Sequence, residues 1–375
     1  YRLVRDPMRL RLASLAFVVP ALLAAQRAAP VNAPADTPRT ASVRYDVSFP
    51  NAVHHEASIS VEFSNVPAGT LALRMSRSSP GRYALHDFAK NVYGVRAEDG
   101  AGKALRITRP NSHQWNVATT DGTVRISYIL FGDQVDGTYA GISEAHAHLN
   151  MPATLMWARG FETRPASITF HPHPGWRVAT QLARTSDSLT FWAPHLQYLM
   201  DSPAMLGPLV IRSWPVAAQG RTTQFRLALD YRGTDAEADA FAEGARRIVH
   251  EAEGVWGELP AFDFGEYTFL AAYLPWATGD GMEHRNSTSL TDHATLADGG
   301  MDELQTVSHE FFHAWNVERL RPKSIEPFDL TEANMSRELW LAEGFTSYYG
   351  PLVMTRAGIT PVAQFVREIG RTTDR

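Results

Sequence analysis

The sequence predicts an α+β fold: a largely antiparallel, β-rich N-terminal half, shaped as a sandwich or an open saddle, followed by an α/β half in which two helices can hold a metal ion. Three observations predict it. From Ala41 to about Ser213, short alternating runs (SVRYDVSF, ASISVEFSNV, TLALRMS, TVRISYILF, PASITFHP) are each bounded by Gly, Pro, Asn or Asp, the pattern of strands with one buried face. From Asp235 onward, apolar residues recur at helical spacing instead. Within that second half, Asp302–Arg321 (DELQTVSHEFFHAWNVERLR) and Leu339–Gly350 (LWLAEGFTSYYG) set histidines and a glutamate among apolar residues.

In chain order, residues 1–40 stand apart. Met8–Ala25 places Arg9 and Arg11 ahead of an apolar run from Leu12, the layout of a secretory signal peptide, and the run is too short to span a membrane. Ala28–Arg39, rich in Ala and Pro, reads as a linker. Export to a periplasm or to the exterior is therefore expected, with no stable membrane span. With no cysteine in the chain, disulfides and thiolate metal ligands are excluded.

The β-rich domain is placed at 41–213. Its histidine clusters, His54-His55 and His146-Ala147-His148, lack an acidic residue at ligand spacing and read as structural or surface groups, as do His171 and His173. Ser79-Pro80-Gly81-Arg82-Tyr83 sets turn residues beside an arginine and an aromatic, which suits a loop at a domain interface.

The second domain is placed at 214–375. Asp235–Gly257 reads as a helix with an apolar stripe of Ala238, Phe241, Ala242, Ala245, Ile248 and Val249. GEYTFLAAYLPW reads as a hydrophobic strand, and after the turn Ala277–Gly281, MEHRNSTSL alternates like an edge strand. Such an edge can take an extended peptide as one more strand. His309, Glu310 and His313 follow in the spacing H-E-x-x-H. Four residues apart on a helix, His309 and His313 direct two imidazoles at one point, which suits Zn²⁺, and Glu310 can lean over the ion to take a proton from water. Leu304, Val307, Phe311, Phe312 and Trp315 suggest that this helix is buried on most sides. Glu343 lies amid apolar and aromatic residues, where a carboxylate is costly unless paired or metal-bound. If the two helices pack together, it completes a His₂Glu set with one position open. The link between them, 314–342, is broken by Pro322, Pro327 and Asp329, and its Arg319, Arg321 and Lys323 are open to two readings, contact with a substrate carboxylate or, preferred, simple solvation.

Around these residues a resemblance becomes specific. HEFFHAWN followed by LWLAEGFTSYYG is similar to the gluzincin metallopeptidases, and GMEHRNS (Gly281–Ser287) resembles the substrate-amine motif of their aminopeptidase branch, with His284 where better-known members have Asn. SPGRYALHDFAKNV from Ser79 and DGTYAGISEAHAHLNMPATLMWARG from Asp136 resemble the glycyl aminopeptidase family, so the similarity runs from about Ser42 to the last residue. The resemblance implies a thermolysin-like catalytic domain with one Zn²⁺ ion on His309, His313 and Glu343, and Glu310 as the catalytic base. It also implies a peptide substrate whose free N-terminus is bound by Glu283 with Gly281 and Met282, and whose first residue is small, Gly or Ala. Relative to that family the chain looks shortened, lacking the rest of the helical subdomain and any PDZ domain. Tyr348 and Tyr349 are the nearest candidates for an oxyanion donor, but they read as core residues, so the donor is expected beyond residue 375.

Composition narrows the alternatives. With 35 basic against 40 acidic residues the chain carries a net charge of −5, which gives nucleic acid no basic surface. Three readings stand beside an aminopeptidase: a zinc endopeptidase with the same site, which would have no use for Glu283; a catalytically inert peptide-binding module; and a chain that does not fold alone, because its helical subdomain ends with an apolar face uncovered.

Overall fold

The computed structural model describes residues 41–373, so the signal peptide and linker expected in 1–40 lie outside the described residues. The β-rich half holds a seven-stranded sheet and two four-stranded sheets. Along Val43–Asn51 and Glu56–Val66 alternate residues are buried, as the sequence pattern requires of strands with one face on a core. The three sheets share that core, which runs from Tyr45, Phe63 and Tyr128 to Met156, Phe170 and Leu206. One pairing departs from the antiparallel expectation: Val43–Asn51 runs parallel to Ala166–His171 while pairing antiparallel with Glu56–Val66.

The second half is a five-stranded mixed sheet with helices packed on it, in the order Val210–Ala218, Arg221–Tyr231, Glu266–Tyr273, Ser287–Asp292, Asp280–His284. The first of these strands pairs along its whole length with Arg221–Tyr231, so this sheet takes in residues on both sides of the 213/214 division. Glu266–Tyr273 is buried at every position after the first, which is why its sequence reads as an unbroken apolar run. The stretch read as a single edge strand, MEHRNSTSL, is instead a hairpin. Asp280–His284 stands at the edge, and Ser287–Asp292 lies inside, parallel to Glu266–Tyr273. The turn at Arg285 and Asn286 is held from outside: the Asn286 backbone N–H donates to Gln181 Oε1, and its Nδ2 to Tyr198 Oη and Asp263.

Helix α1, Asp235–Trp256, buries the expected stripe from Ala238 to Val249. A capping box between Thr234 and Glu237 opens it, and Gly257 at φ 77° closes it in a conformation that glycine adopts without strain. Helix α2, Leu296–Phe312, begins earlier than the sequence suggested and is capped by Thr295. Its Val307 and Phe311 are fully buried against Phe225, Tyr267 and Phe269 of the sheet. Truncating such a phenylalanine costs about 3–5 kcal/mol, so α2 is fixed by its core face. Helices α3, Phe345–Arg356, and α4, Val362–Thr373, follow. Among the described residues no helix is long and apolar enough to cross a membrane.

The two halves are joined by polar contacts. Arg82 pairs with Asp280, Asp201 with His284, and Asp230 with His146 and His148.

Candidate active site

Three elements meet at one point. Helix α2 presents His309 and, at its end, His313. A π-helical turn at Trp340–Gly344 presents Glu343, and the edge strand presents Glu283. His309 Nε2 and His313 Nε2 are 3.3 Å apart, and Glu343 Oε2 lies 3.7 Å and 3.6 Å from them. Ligand atoms of a tetrahedral ion with bonds of about 2.0–2.1 Å are separated by roughly 3.3–3.4 Å. The three residues therefore fit a zinc-sized ion with little adjustment.

The tautomer fits as well. His313 Nδ1 donates to the Asn316 carbonyl at 2.6 Å, which leaves the Nε2 lone pair facing the other two groups. The Asn316 side chain then donates to the carbonyls of Leu341 and Ala342, 2.9 Å and 3.0 Å away. A π turn widens the helix and frees carbonyls of this kind. Asn316 thus ties the histidine helix to the turn that carries Glu343. Ser308 adds a second tie by donating to the Gly350 carbonyl at 2.8 Å.

Glu310 and Glu283 are both buried, and with His313 they bring ligand atoms within 4.8 Å of one another. Burial, with Glu283 and Glu343 adding to it, pushes the Glu310 carboxyl up to about 7 against the pull of the two histidines. Burial opposes charge on His313, but Glu283, Glu343 and Glu310 raise it to about 10. Burial would raise Glu343 too; the two nearby imidazoles and the hydrogen bond from Tyr83 reverse this and hold it well below the usual carboxylate range. Three carboxylates facing two imidazoles leave an excess of negative charge, which a dication would balance.

Gly281 and Gly81 have steric reasons to be glycine. A Cβ on Gly281 would overlap the Glu310 carboxylate. Gly81, at φ 77°, packs where a Cβ would strike Met282 and Glu283. Met282 is fully buried beneath this contact, so Gly281, Met282 and Glu283 are brought to the site together.

Tyr83 was missed as a site residue. Its hydroxyl donates to Glu343 Oε1 at 2.9 Å across 260 residues of chain. Arg82 beside it pairs with Asp280 and donates to Thr138 Oγ1 at 2.8 Å and to the Gly281 carbonyl at 3.4 Å. The Ser79–Tyr83 loop is therefore a wall of the site; its only sequence signal was an arginine and an aromatic in a turn.

Several expectations are corrected. Tyr348 is not a core residue but 45% exposed, on the solvent side of α3, while Tyr349 stacks on Phe312 at 5.0 Å. Of the three basic residues expected in water, only Lys323 is exposed. Arg319 donates to the carbonyls of Arg285 and Ala314 and to Asn286, and Arg321 pairs with buried Glu318, because these guanidinium groups satisfy acceptors left open by the hairpin turn and by the link itself. His146 and His148 do have an acidic partner, Asp230, supplied by another sheet. His55 is structural, bonded to the Ile142 carbonyl, and His171 is an exposed partner of Asp46.

Two models of one family match the chain. The peptidase M61 N-terminal domain matches residues 44–208, which include Tyr83, and the M61 glycyl aminopeptidase domain matches residues 302–375, which include the His309, His313 and Glu343 cluster. Gly281, Met282 and Glu283 fall between the two matches. An aminopeptidase N family protein from Idiomarina loihiensis is similar in structure at a TM-score of 0.77 and 24% identity, over 86% of this chain and 56% of that one. An M1 zinc metallopeptidase mutant from Deinococcus radiodurans, bound to a Tyr-Ser-Ala substrate, is similar at 0.50 and 16%, over 88% and 74%. Aminopeptidase A from Legionella pneumophila is similar at 0.52 and 12%, over 84% and 38%. These likenesses show the fold, a β-rich half followed by an α/β half, as the sequence predicted. The chain spans little more than half the length of the Idiomarina protein. Among curated proteins none matches it in sequence.

Proposed function

The chain belongs to the M61 glycyl aminopeptidase family, and from that premise we propose that it is a zinc-dependent aminopeptidase, hydrolysing the first peptide bond of peptides with a free N-terminus. The observation that carries the reading is the convergence of His309, His313 and Glu343 with two further buried carboxylates, Glu310 and Glu283. One ion is proposed there, held by the first three. A Zn²⁺ in that place supplies Lewis-acid chemistry, polarising a carbonyl and making water acidic near neutral pH.

The chain's own residues do the rest. Glu310, pushed up to about 7, suits a base that takes a proton from the attacking water and returns it to the leaving amine. Glu283 offers its carboxylate to the α-ammonium of the peptide, which sets the register from the N-terminus. Asp280–His284, at the sheet edge, lends its backbone to the extended substrate. Gly281 leaves room for Glu310 to lie against this strand. Preference for Gly or Ala at the first position, and export to a periplasm or the exterior, belong to the same reading. The first rests on the family and the second on the pattern of Met8–Ala25. The Tyr-Ser-Ala bound by the Deinococcus relative is in keeping with a peptide substrate.

The test pairs a glycyl chromogenic amide with its N-acetylated twin, with chelator and zinc add-back. Chelator-sensitive cleavage of the free amine alone supports the proposal. Equal cleavage of both removes Glu283 from its role and points to an endopeptidase.

A further inference from the structure

We propose that His146, His148 and Asp230 form a second divalent-metal site, separate from the catalytic centre, which fastens the β-rich half to the mixed sheet. His146 directly precedes the strand Ala147–Leu149 and His148 lies on it, two residues on, where extended chain brings side chains to the same face. Asp230 is the next-to-last residue of Arg221–Tyr231 in the other sheet. His148 Nε2 and His146 Nδ1 lie 2.8 Å and 3.1 Å from the same oxygen, Asp230 Oδ2, and the three ligand atoms all fall within 4.8 Å of one another.

All three residues are buried, at 2%, 7% and 9% exposure in chain order. Two imidazoles and a carboxylate converging in a buried place are the donor set of a borderline dication such as Zn²⁺ or Co²⁺, and the same set as His309, His313 and Glu343. A buried carboxylate facing two imidazoles across two sheets is a group that a dication can pair with. Trp276 gives the place an outer wall. Its indole stacks on His146 at 5.8 Å, with Arg232 4.9 Å from its centre, and is itself 50% exposed.

The competing account is a triad in which both imidazoles give a proton to Asp230 and no ion binds. Chelator-stripped protein dialysed against Zn²⁺ and counted by elemental analysis separates the two. Two equivalents per chain are expected in the wild type, and one in Asp230→Asn and in His148→Gln. The decisive variant leaves the triad intact: His309→Ala with His313→Ala should keep one equivalent, raise its melting temperature on adding Zn²⁺, and give a Co²⁺ visible spectrum. No bound metal in that double variant, or one equivalent in the wild type that Asp230→Asn leaves in place, overturns the proposal. Neither result bears on the catalytic reading, which the glycyl amide assay tests separately.

Discussion

Tyr83 Oη donates a 2.9 Å hydrogen bond to Glu343 Oε1, so a loop of the β-rich half positions a carboxylate of the proposed zinc site in the other. The same glutamate's other oxygen faces the two histidines. A hydrogen bond to a charged group contributes about 1.5–3 kcal/mol, and removing an outer partner of a metal ligand typically costs 10–100-fold in affinity. Tyr83→Phe should therefore weaken zinc binding about tenfold or more, read by competition with a chromogenic chelator. Unchanged affinity would mean that Glu343 holds its orientation without the hydroxyl.

Arg82 and Asp280 should behave as a latch between the halves. Arg82 also reaches Thr138 and the Gly281 carbonyl, while the Gly137 N–H donates to Asp280 Oδ2 at 3.0 Å, so neither group is left with a single partner. For a half-buried, multiply bonded pair the coupling is expected at about 1–2 kcal/mol, above that of an exposed ion pair. A double-mutant cycle on Arg82→Ala and Asp280→Ala, read from urea midpoints, measures it. Additive losses would show that the latch carries no energy of its own.

How much of this was legible depends on sequence distance. His309, Glu310 and His313 lie within one helical turn, where spacing alone fixes geometry. Glu343 could be picked out because a carboxylate among Leu341, Phe345 and Tyr348 needs a reason to be there. Tyr83 and Arg82 could not, because loop position is set by tertiary packing of a β-rich half whose register no short pattern encodes. Asp230 escaped for the same cause: it is paired with His148 across 82 residues, and a search at ligand spacing passes over it. The hairpin at Arg285 and Asn286 was read as one continuous strand because its turn is stabilised from outside, by Gln181, Tyr198 and Asp263, rather than by turn residues of its own.

Asn316 is the tie between the two elements that carry the proposed zinc ligands. Asn316→Ala leaves the backbone acceptor for His313 in place but removes the donors to Leu341, Ala342 and Thr346. Buried acceptors that lose their donor cost about 1–3 kcal/mol. The variant should be destabilised by that amount and should bind zinc more weakly, since Glu343 sits on the released turn. Thermal melts with and without metal give both numbers, and a loss of stability with full zinc affinity would confine Asn316 to a packing role.

Glu310→Gln keeps the shape of the site and removes the proposed base. The expected result is a fall in kcat of about 10²–10⁴-fold with zinc still bound, the usual worth of a positioned general base. Turnover measured beside metal content checks it. Loss of metal together with activity would instead make Glu310 part of the ion's support.

Glu303 gives a prediction that does not depend on the active site. It is buried on α2, and burial, with Asp292 and Asp302 nearby, pushes its carboxyl up to about 7 from an ordinary 4.5. Between those two values the folded protein binds more protons than the unfolded chain, so stability falls as pH rises through that window. Below about pH 4 the group is protonated in both states and contributes no difference. Glutamine resembles the protonated form and cannot ionise. Glu303→Gln should therefore match the wild type at pH 4 and exceed it by about 1–3 kcal/mol at pH 8, with the gap opening between. Urea midpoints at pH 4, 6 and 8 measure it. A gap independent of pH would show that packing, not charge, separates the two side chains.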